Sequence, residues 1–255
     1  MLRRAGLALV AGVLAAGSPA PYAAAQDDPG PAAGRAQPLA GRTVVLDAGH
    51  QLGNQRYPRQ TTRLVPAGGF RKPCNTTGTE TATGVAETTV NWRVTRLLQR
   101  RLEALGARVV LTRTSNRLDR WGPCVDARGR AGNRIGADLK LSIHADGAAP
   151  GQRGFHVVTP TSRPRWTRDI ARPSRRLAVA VRSGLQGRSF RTVPYVAGGI
   201  DRRGDLATLN LSDVPAVVVE LGNLRDRRDA RLLTSPRGQA RAAAGLLAGV
   251  RRFLG

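Results

Sequence analysis

The chain predicts a single α/β domain: a mostly parallel central sheet with helices on both faces. Three observations carry that expectation. Short runs rich in Val, Ile and Leu stop at Gly or Asp, as buried strands do, and amphipathic stretches with apolar spacings of three and four lie between them. About 215 residues follow from Gly41, a length that suits one sizeable core.

Residues 1–25 stand outside that fold. Arg3 and Arg4 precede an apolar stretch from Ala5 to about Ala16, and Ala23-Ala24-Ala25 offers a small-residue cleavage site, the pattern of a secretory signal. About 12 apolar residues fall short of the roughly 20 that a spanning helix needs, and no later segment is a better candidate. The expectation is a secreted, monomeric protein of the periplasm or cell wall. Residues 26–39, rich in Ala, Pro, Gly and Asp, read as a flexible leader, and residues 40–255 as the folded domain.

Within the domain, Thr43 to Asp47 reads as the first strand. Gln51 to Gly84 is a long polar loop with three prolines, and loops of that length inside compact domains are usually functional. From Glu87 to about Leu105, Val90, Val94, Leu97, Leu98, Leu102 and Leu105 mark an amphipathic helix stopped by Gly106. Val109 to Leu111 is a second strand, Cys124 to Ala137 a helix with a basic face, and Leu139 to Ile143 a third strand. Phe155 to Val158 follows as a strand and Ser174 to Leu185 as a helix. Pro215 to Glu220 is the last strand, apolar through Val217-Val218-Val219 as a strand buried on both faces should be. Two helices close the chain, the final one from about Pro236 to Phe253.

The formal net charge is +24, or +22 without Arg3 and Arg4. Such a surface attracts polyanions, and an exported protein meets anionic cell-wall polymers before anything else. Nearly all of the charge is Arg, Lys72 and Lys140 being the only lysines, a bias that genome base composition also produces. Nucleic acid is not an expected partner, because no stacking aromatics accompany the charge. Cys74 and Cys124 are the only cysteines. In an exported protein they read most simply as one disulfide, worth roughly 4 kcal/mol in the chain-entropy model. Thiolate zinc ligation is the weaker reading, since neither cysteine has a C-x-x-C neighbour.

The chemistry begins with two histidines. His50 ends Val44-Val45-Leu46-Asp47-Ala48-Gly49-His50 and His144 follows Leu141-Ser142-Ile143, so each stands where an apolar run stops, the place where open α/β sheets hold ligands. Two of the chain's three histidines share this context, as two ligands of one metal ion would. The third, His156, reads as a hydrogen-bonded core or surface group. A zinc site that activates water needs one more protein ligand and a nearby carboxylate to take a proton. Glu87, first residue of its helix, is the candidate ligand, although a carboxylate there is also favoured by the helix dipole alone. Glu220 closes the three-valine run, where an ionised carboxylate is costly unless it is paired, protonated or used. It reads as the proton acceptor, pairing with an arginine being the structural alternative.

The blocks around His50, Glu87 (Ala86-Glu87-Thr88-Thr89-Val90-Asn91), His144 and Glu220 (Pro215 to Leu224) resemble, in order and spacing, the zinc-dependent N-acetylmuramoyl-L-alanine amidases of the amidase-3 type. The cysteine-bearing loop and Asp205-Leu206-Ala207-Thr208-Leu209-Asn210-Leu211 look most like the stand-alone secreted actinobacterial members. The resemblance implies Zn2+ held by His50, Glu87 and His144, with Glu220 as catalytic glutamate. It makes residues 40–255 a catalytic domain that cuts peptidoglycan, or its muropeptide fragments, between N-acetylmuramic acid and L-alanine. Ala48 stands where the family often has proline. The alternative is a secreted basic wall-binding protein of the same fold without turnover. A metallopeptidase acting on protein lacks its common H-E-x-x-H signature here.

Overall fold

The computed structural model describes residues 37–255. The expected signal 1–25, and the expected leader up to residue 36, lie outside the described residues. The rest of that leader is held by the fold: Leu39 is buried and its N–H donates to the Leu105 carbonyl at 2.9 Å.

The strands β1 (Thr43–Ala48), β4 (Arg108–Leu111), β5 (Leu139–Asp146), β6 (His156–Pro160), β7 (Ile200–Arg203) and β8 (Ala216–Asn223) form one sheet in the order β4-β1-β5-β8-β6-β7. Every neighbouring pair is parallel except β6 with β8, so the sheet is mostly parallel as expected. The first long connection contains α1 (Pro58–Thr62) and a separate antiparallel hairpin, β2 (Leu64–Pro66) with β3 (Arg71–Pro73). The remaining helices are α2 (Glu87–Glu103), α3 (Val125–Arg130), α4 (Ala171–Gln186), α5 (Ala207–Asn210), α6 (Arg227–Thr234) and α7 (Pro236–Leu254). Among the described residues no helix is long and apolar enough to cross a membrane.

Strand alternation divides the sheet into two unlike faces. Leu139, Leu141 and Ile143 of β5, with Val217, Val219 and Leu221 of β8, join α2, α4 and α7 in the main core. Each such fully buried side chain stabilises the fold by about 1.5–3 kcal/mol relative to exposure. α4 and α7 pack backbone to backbone: a Cβ on Gly184 would lie 2.3 Å from the Gly245 carbonyl oxygen, and one on Gly249 2.5 Å from Val181 Cα. The even-numbered residues of β5, β6 and β8 point the other way. There Val158, Ala216 and Val218 pack on Leu209 of α5 in a smaller cluster. This face is thinly covered by short α3 and α5, which leaves room for a cleft.

Several expectations move. The helix expected over Cys124 to Ala137 is only Val125–Arg130, because Ala131 is extended at ψ 125° and Gly132 and Gly136 take positive φ. Its basic face is incomplete, since Arg128 is buried. β5 runs on to Asp146, which places His144 inside the strand. β7 was not expected, and the long polar loop holds a helix and a hairpin. Cys74 and Cys124 are bonded to each other.

Candidate metal centre and active-site cleft

His50, Glu87 and His144 meet although they come from β1's exit, the start of α2 and β5. Their ligand atoms all lie within 4.8 Å of one another. Glu87 sits between the two imidazoles, 3.0 Å from His144 Nδ1 through Oε1 and 3.5 Å from His50 Nε2 through Oε2. The carboxylate is oriented by further donors: Asn91 Nδ2 at 2.9 Å, one helical turn on, and the backbone N–H groups of Thr79 at 3.0 Å and Ala145 at 3.2 Å. Burial pushes the Glu87 carboxyl up, but His50 and His144 outweigh it and hold it below the usual carboxylate range. Burial lowers His50, whereas for His144 the hydrogen bond to Glu87 overcomes burial and raises the imidazole.

Two glycines make the space. A Cβ on Gly49 would lie 2.3 Å from the His144 ring, and one on Gly78, whose φ is +79°, 2.5 Å from Glu87 Oε2. His50 itself has φ 54°, a left-handed conformation that few non-glycine residues adopt and that costs on the order of 1–3 kcal/mol unless the surroundings impose it. Here they do. Arg113 donates to the Ala48 carbonyl at 2.8 Å and the Gly49 carbonyl at 3.3 Å, and Arg128 to the Ala48 carbonyl at 2.8 Å and the His50 carbonyl at 2.7 Å. On its other side, His50 Nδ1 is 3.0 Å from the Thr76 carbonyl, which fixes the ring and turns Nε2 toward Glu87. Thr76 follows the disulfide at Cys74 by two residues, and Asn75 is tied to the Pro123 carbonyl beside Cys124 at 2.8 Å.

Below this cluster lies Asp47, fully buried, accepting from Ser142 Oγ, Thr112 Oγ1 and Arg128. Burial alone would raise its carboxyl; Arg128, Ser142 and Thr112 reverse the sign and hold it well below the carboxylate range. Neither Asp47 nor the two buried arginines was singled out from sequence. The available signal was a charged residue inside the apolar block Val44-Val45-Leu46-Asp47, which a strand can bury only with a partner.

Glu220 is the residue of β8 in register with His144 of β5 on one side and His156 of β6 on the other. It lines a cleft of about 870 Å³ together with His50, His144, His156, Tyr195 and Arg203. None of the ion pairs among the described residues involves Glu220, so no arginine pairs with it directly, and Arg203 acts on it only at longer range. Burial pushes its carboxyl up to about 8, with Glu87 and Asp146 adding to the shift and His144 opposing it.

Two imidazoles and one carboxylate form a donor set that suits zinc, placed at the carboxyl ends of parallel strands, where α/β folds bind ligands. The fold and this cluster define an α/β protein with a candidate metal site opening on a cleft. Residues 44–252 match the family described as N-acetylmuramoyl-L-alanine amidase, and the chain belongs to that family. It is 37% identical over 218 residues to N-acetylmuramoyl-L-alanine amidase Rv3717 of Mycobacterium tuberculosis, covering 85% of this chain and 88% of that protein. The amidase Ami1 of Mycobacterium smegmatis superposes with a TM-score of 0.79 at 35% identity, over 85% of this chain and 98% of that one. The apo form of Ami1 from Mycobacterium abscessus gives 0.79 at 36% identity, over 85% and 100%.

Proposed function

We propose that this protein is a secreted, zinc-dependent peptidoglycan amidase that hydrolyses the bond between the lactyl carbonyl of N-acetylmuramic acid and the L-alanine opening the stem peptide. The observation that carries the reading is the convergence of the His50, Glu87 and His144 donor atoms within 4.8 Å, with Glu220 one strand away. The family and its mycobacterial relatives support the same substrate.

His50, Glu87 and His144 would hold the ion. When bound, zinc supplies Lewis acidity, bringing the pKa of water toward about 7 and polarising the scissile carbonyl. Glu220 takes the proton of the attacking water and delivers it to the leaving nitrogen. The new C–O bond forms first and the C–N bond then breaks, giving a muramic acid carboxyl group and a free peptide amine. Burial beside the cluster raises the Glu220 carboxyl, so it holds a transferred proton more readily than an exposed carboxylate would.

Export rests on Arg3, Arg4 and the apolar run that follows, and places the protein in the periplasm or cell wall. The alternative of a wall-binding protein without turnover is disfavoured by a glutamate that lines the cleft with no ion-pair partner among the described residues. Mass analysis of products from intact sacculi and soluble muropeptides, with and without a chelator, tests the assignment. Free stem peptides released only without chelator are expected; release that ignores the chelator would sink the zinc reading.

A further inference from the structure

The side of the sheet away from the cleft carries a positive charge that the described residues do not balance. α2, α4 and α7, the helices packed on that side, hold four arginines each, and their only acidic residues are Glu87, in the candidate metal cluster, and Glu103. Elsewhere the basic residues find counter-charges: Asp205 takes Lys72 and Arg203, Asp119 takes Arg117, and Asp126 takes Arg130.

On α2 the excess is arranged along a groove. Trp92, Arg93, Arg96, Leu97 and Arg100 line it together with Pro236 of α7, enclosing about 460 Å³ and sharing no residue with the cleft. None of the three arginines has an acidic partner among the described residues. Arg96 donates to the Gln99 amide oxygen, and Glu103 accepts from the Gln99 amide instead of pairing with Arg100. Arg93 and Arg96 are three residues apart and Arg96 and Arg100 four, the spacings at which like charges on a helix repel and destabilise it. A row of cations maintained against that repulsion, with no internal counter-charge, points to an anionic ligand.

The row also sets the ligand's shape. At 1.5 Å per residue, Arg93 to Arg100 covers about 10 Å of helix axis, longer than one phosphate group and suited to a chain that carries a charge at each repeat. Guanidinium groups hold phosphate oxygens in a bidentate fork, and Leu97 and Pro236 offer apolar surface to the uncharged carbons between the phosphates. Single-stranded nucleic acid fits less well, because it binds by stacking on open aromatic faces. The groove's one aromatic ring, Trp92, already lies under Arg96 and Arg113, at 5.6 and 5.1 Å from its centroid. A lipid surface fits no better, since none of the large exposed hydrophobic residues among the described residues lines the groove.

We propose that the groove between α2 and the start of α7 is a docking site for a linear phosphodiester polymer of the cell wall, of the polyol-phosphate kind, held by Arg93, Arg96 and Arg100 while the cleft on the other side of the sheet stays free. This goes beyond the reaction proposed above and takes from it only the export of the protein.

Calorimetry with poly(glycerol phosphate) tests the site by comparing the parent with two variants of equal charge: Arg93→Gln with Arg100→Gln in the groove, and Arg172→Gln with Arg175→Gln on the exposed face of α4. Arg96 is left in place to keep its contact with Trp92. The groove variant is expected to bind about fivefold more weakly, the size of two exposed charge contacts, and the α4 variant to stay within about twofold of the parent. Added salt should weaken binding by the parent, and oligothymidylate of the same charge should bind less tightly than poly(glycerol phosphate). The melting temperature of the groove variant should be unchanged or higher, because like-charge repulsion is relieved, and turnover of a soluble muropeptide should be unchanged in both variants. No binding by the parent, equal losses in the two variants, or oligothymidylate bound as tightly as the polymer overturns the site. So does a lower melting temperature in the groove variant alone, which would make the arginines structural. A parent that binds the polymer but leaves the muropeptide intact would overturn the amidase reading and not this one. Cell fractionation reads export separately: a protein confined to the cytoplasm overturns a wall polymer as the occupant.

Discussion

Two clusters of buried charge lie one above the other in this protein, and they differ in how completely they are satisfied. In the lower one, Asp47 accepts from Ser142, Thr112 and Arg128, and Arg128 and Arg113 close on the carbonyls of Ala48, Gly49 and His50. In the upper one, Glu220 has no ion-pair partner and His156 Nδ1 has no hydrogen bond among the described residues. A saturated network fixes geometry, and an unsaturated one keeps binding capacity for something that is not protein. The lower cluster is thus the mount and the upper one the candidate working surface.

The comparison breaks most sharply at the working surface. Glu220→Ala is expected to lower kcat on the order of 10²–10⁴-fold, the range of a general base, with zinc content and melting unchanged. His144→Ala is expected to lose the metal as well. Elemental analysis beside a turnover assay separates the two, and a Glu220→Ala protein that still turns over normally would remove that residue from the reaction. The mount should fail differently. Arg128→Met leaves Asp47 buried without its cation and should cost about 3–5 kcal/mol in denaturant unfolding, much of it recovered when Asp47→Asn is added; an unaltered midpoint would mean that the pair does not brace the turn.

Between the two layers sits Gly49. Gly49→Ala pushes a methyl group toward the His144 ring and should weaken zinc binding about 10–100-fold, as displaced metal surroundings do, which a competitive chelator titration would show. The smallest effect concerns Lys140, buried beside the mount with its ammonium on the carbonyls of Arg128 and Gly129. Burial lowers Lys140 from 10.5 to about 7 against the pull of Asp47 and Asp213. Between those values the unfolded chain binds the proton and the folded one does not. Stability should therefore rise with pH across that window, by at most about 1.4 kcal/mol per unit. Urea midpoints measured from pH 7 to 10 should show the slope in the parent and lose it in Lys140→Met.

Sequence reading reached the working surface more easily than the mount. His50, His144 and Glu220 announce themselves because polar residues at the ends of apolar runs need a reason, and Glu87 because it opens a strongly amphipathic helix. The mount is assembled from Asp47 on β1, Thr112 after β4, Ser142 on β5 and Arg128 on α3, partners scattered over the chain that no local pattern links. β7 escaped for a different reason: Ile200-Asp201-Arg202-Arg203 has no apolar alternation, since it is an edge strand with Arg202 and Arg203 exposed. The hairpin of β2 and β3 is hidden by Pro66 and Pro73, residues that central strands exclude but an isolated exposed pair tolerates. His156 was read as a hydrogen-bonded core or surface group; it is buried, but its Nδ1 has no partner among the described residues, which is a fact of three dimensions.

The position of β7 has a consequence for how the family can diversify. One wall of the cleft is the sheet's outer rim, with Asp201, Arg202 and Arg203 along it, whereas the candidate metal donors come from the exit of β1, the start of α2 and β5, nearer the middle of the fold. Substitutions at such half-exposed rim positions typically change stability by no more than about 0.5 kcal/mol. The rim can therefore vary in sequence while the cluster of His50, Glu87 and His144 stays where it is.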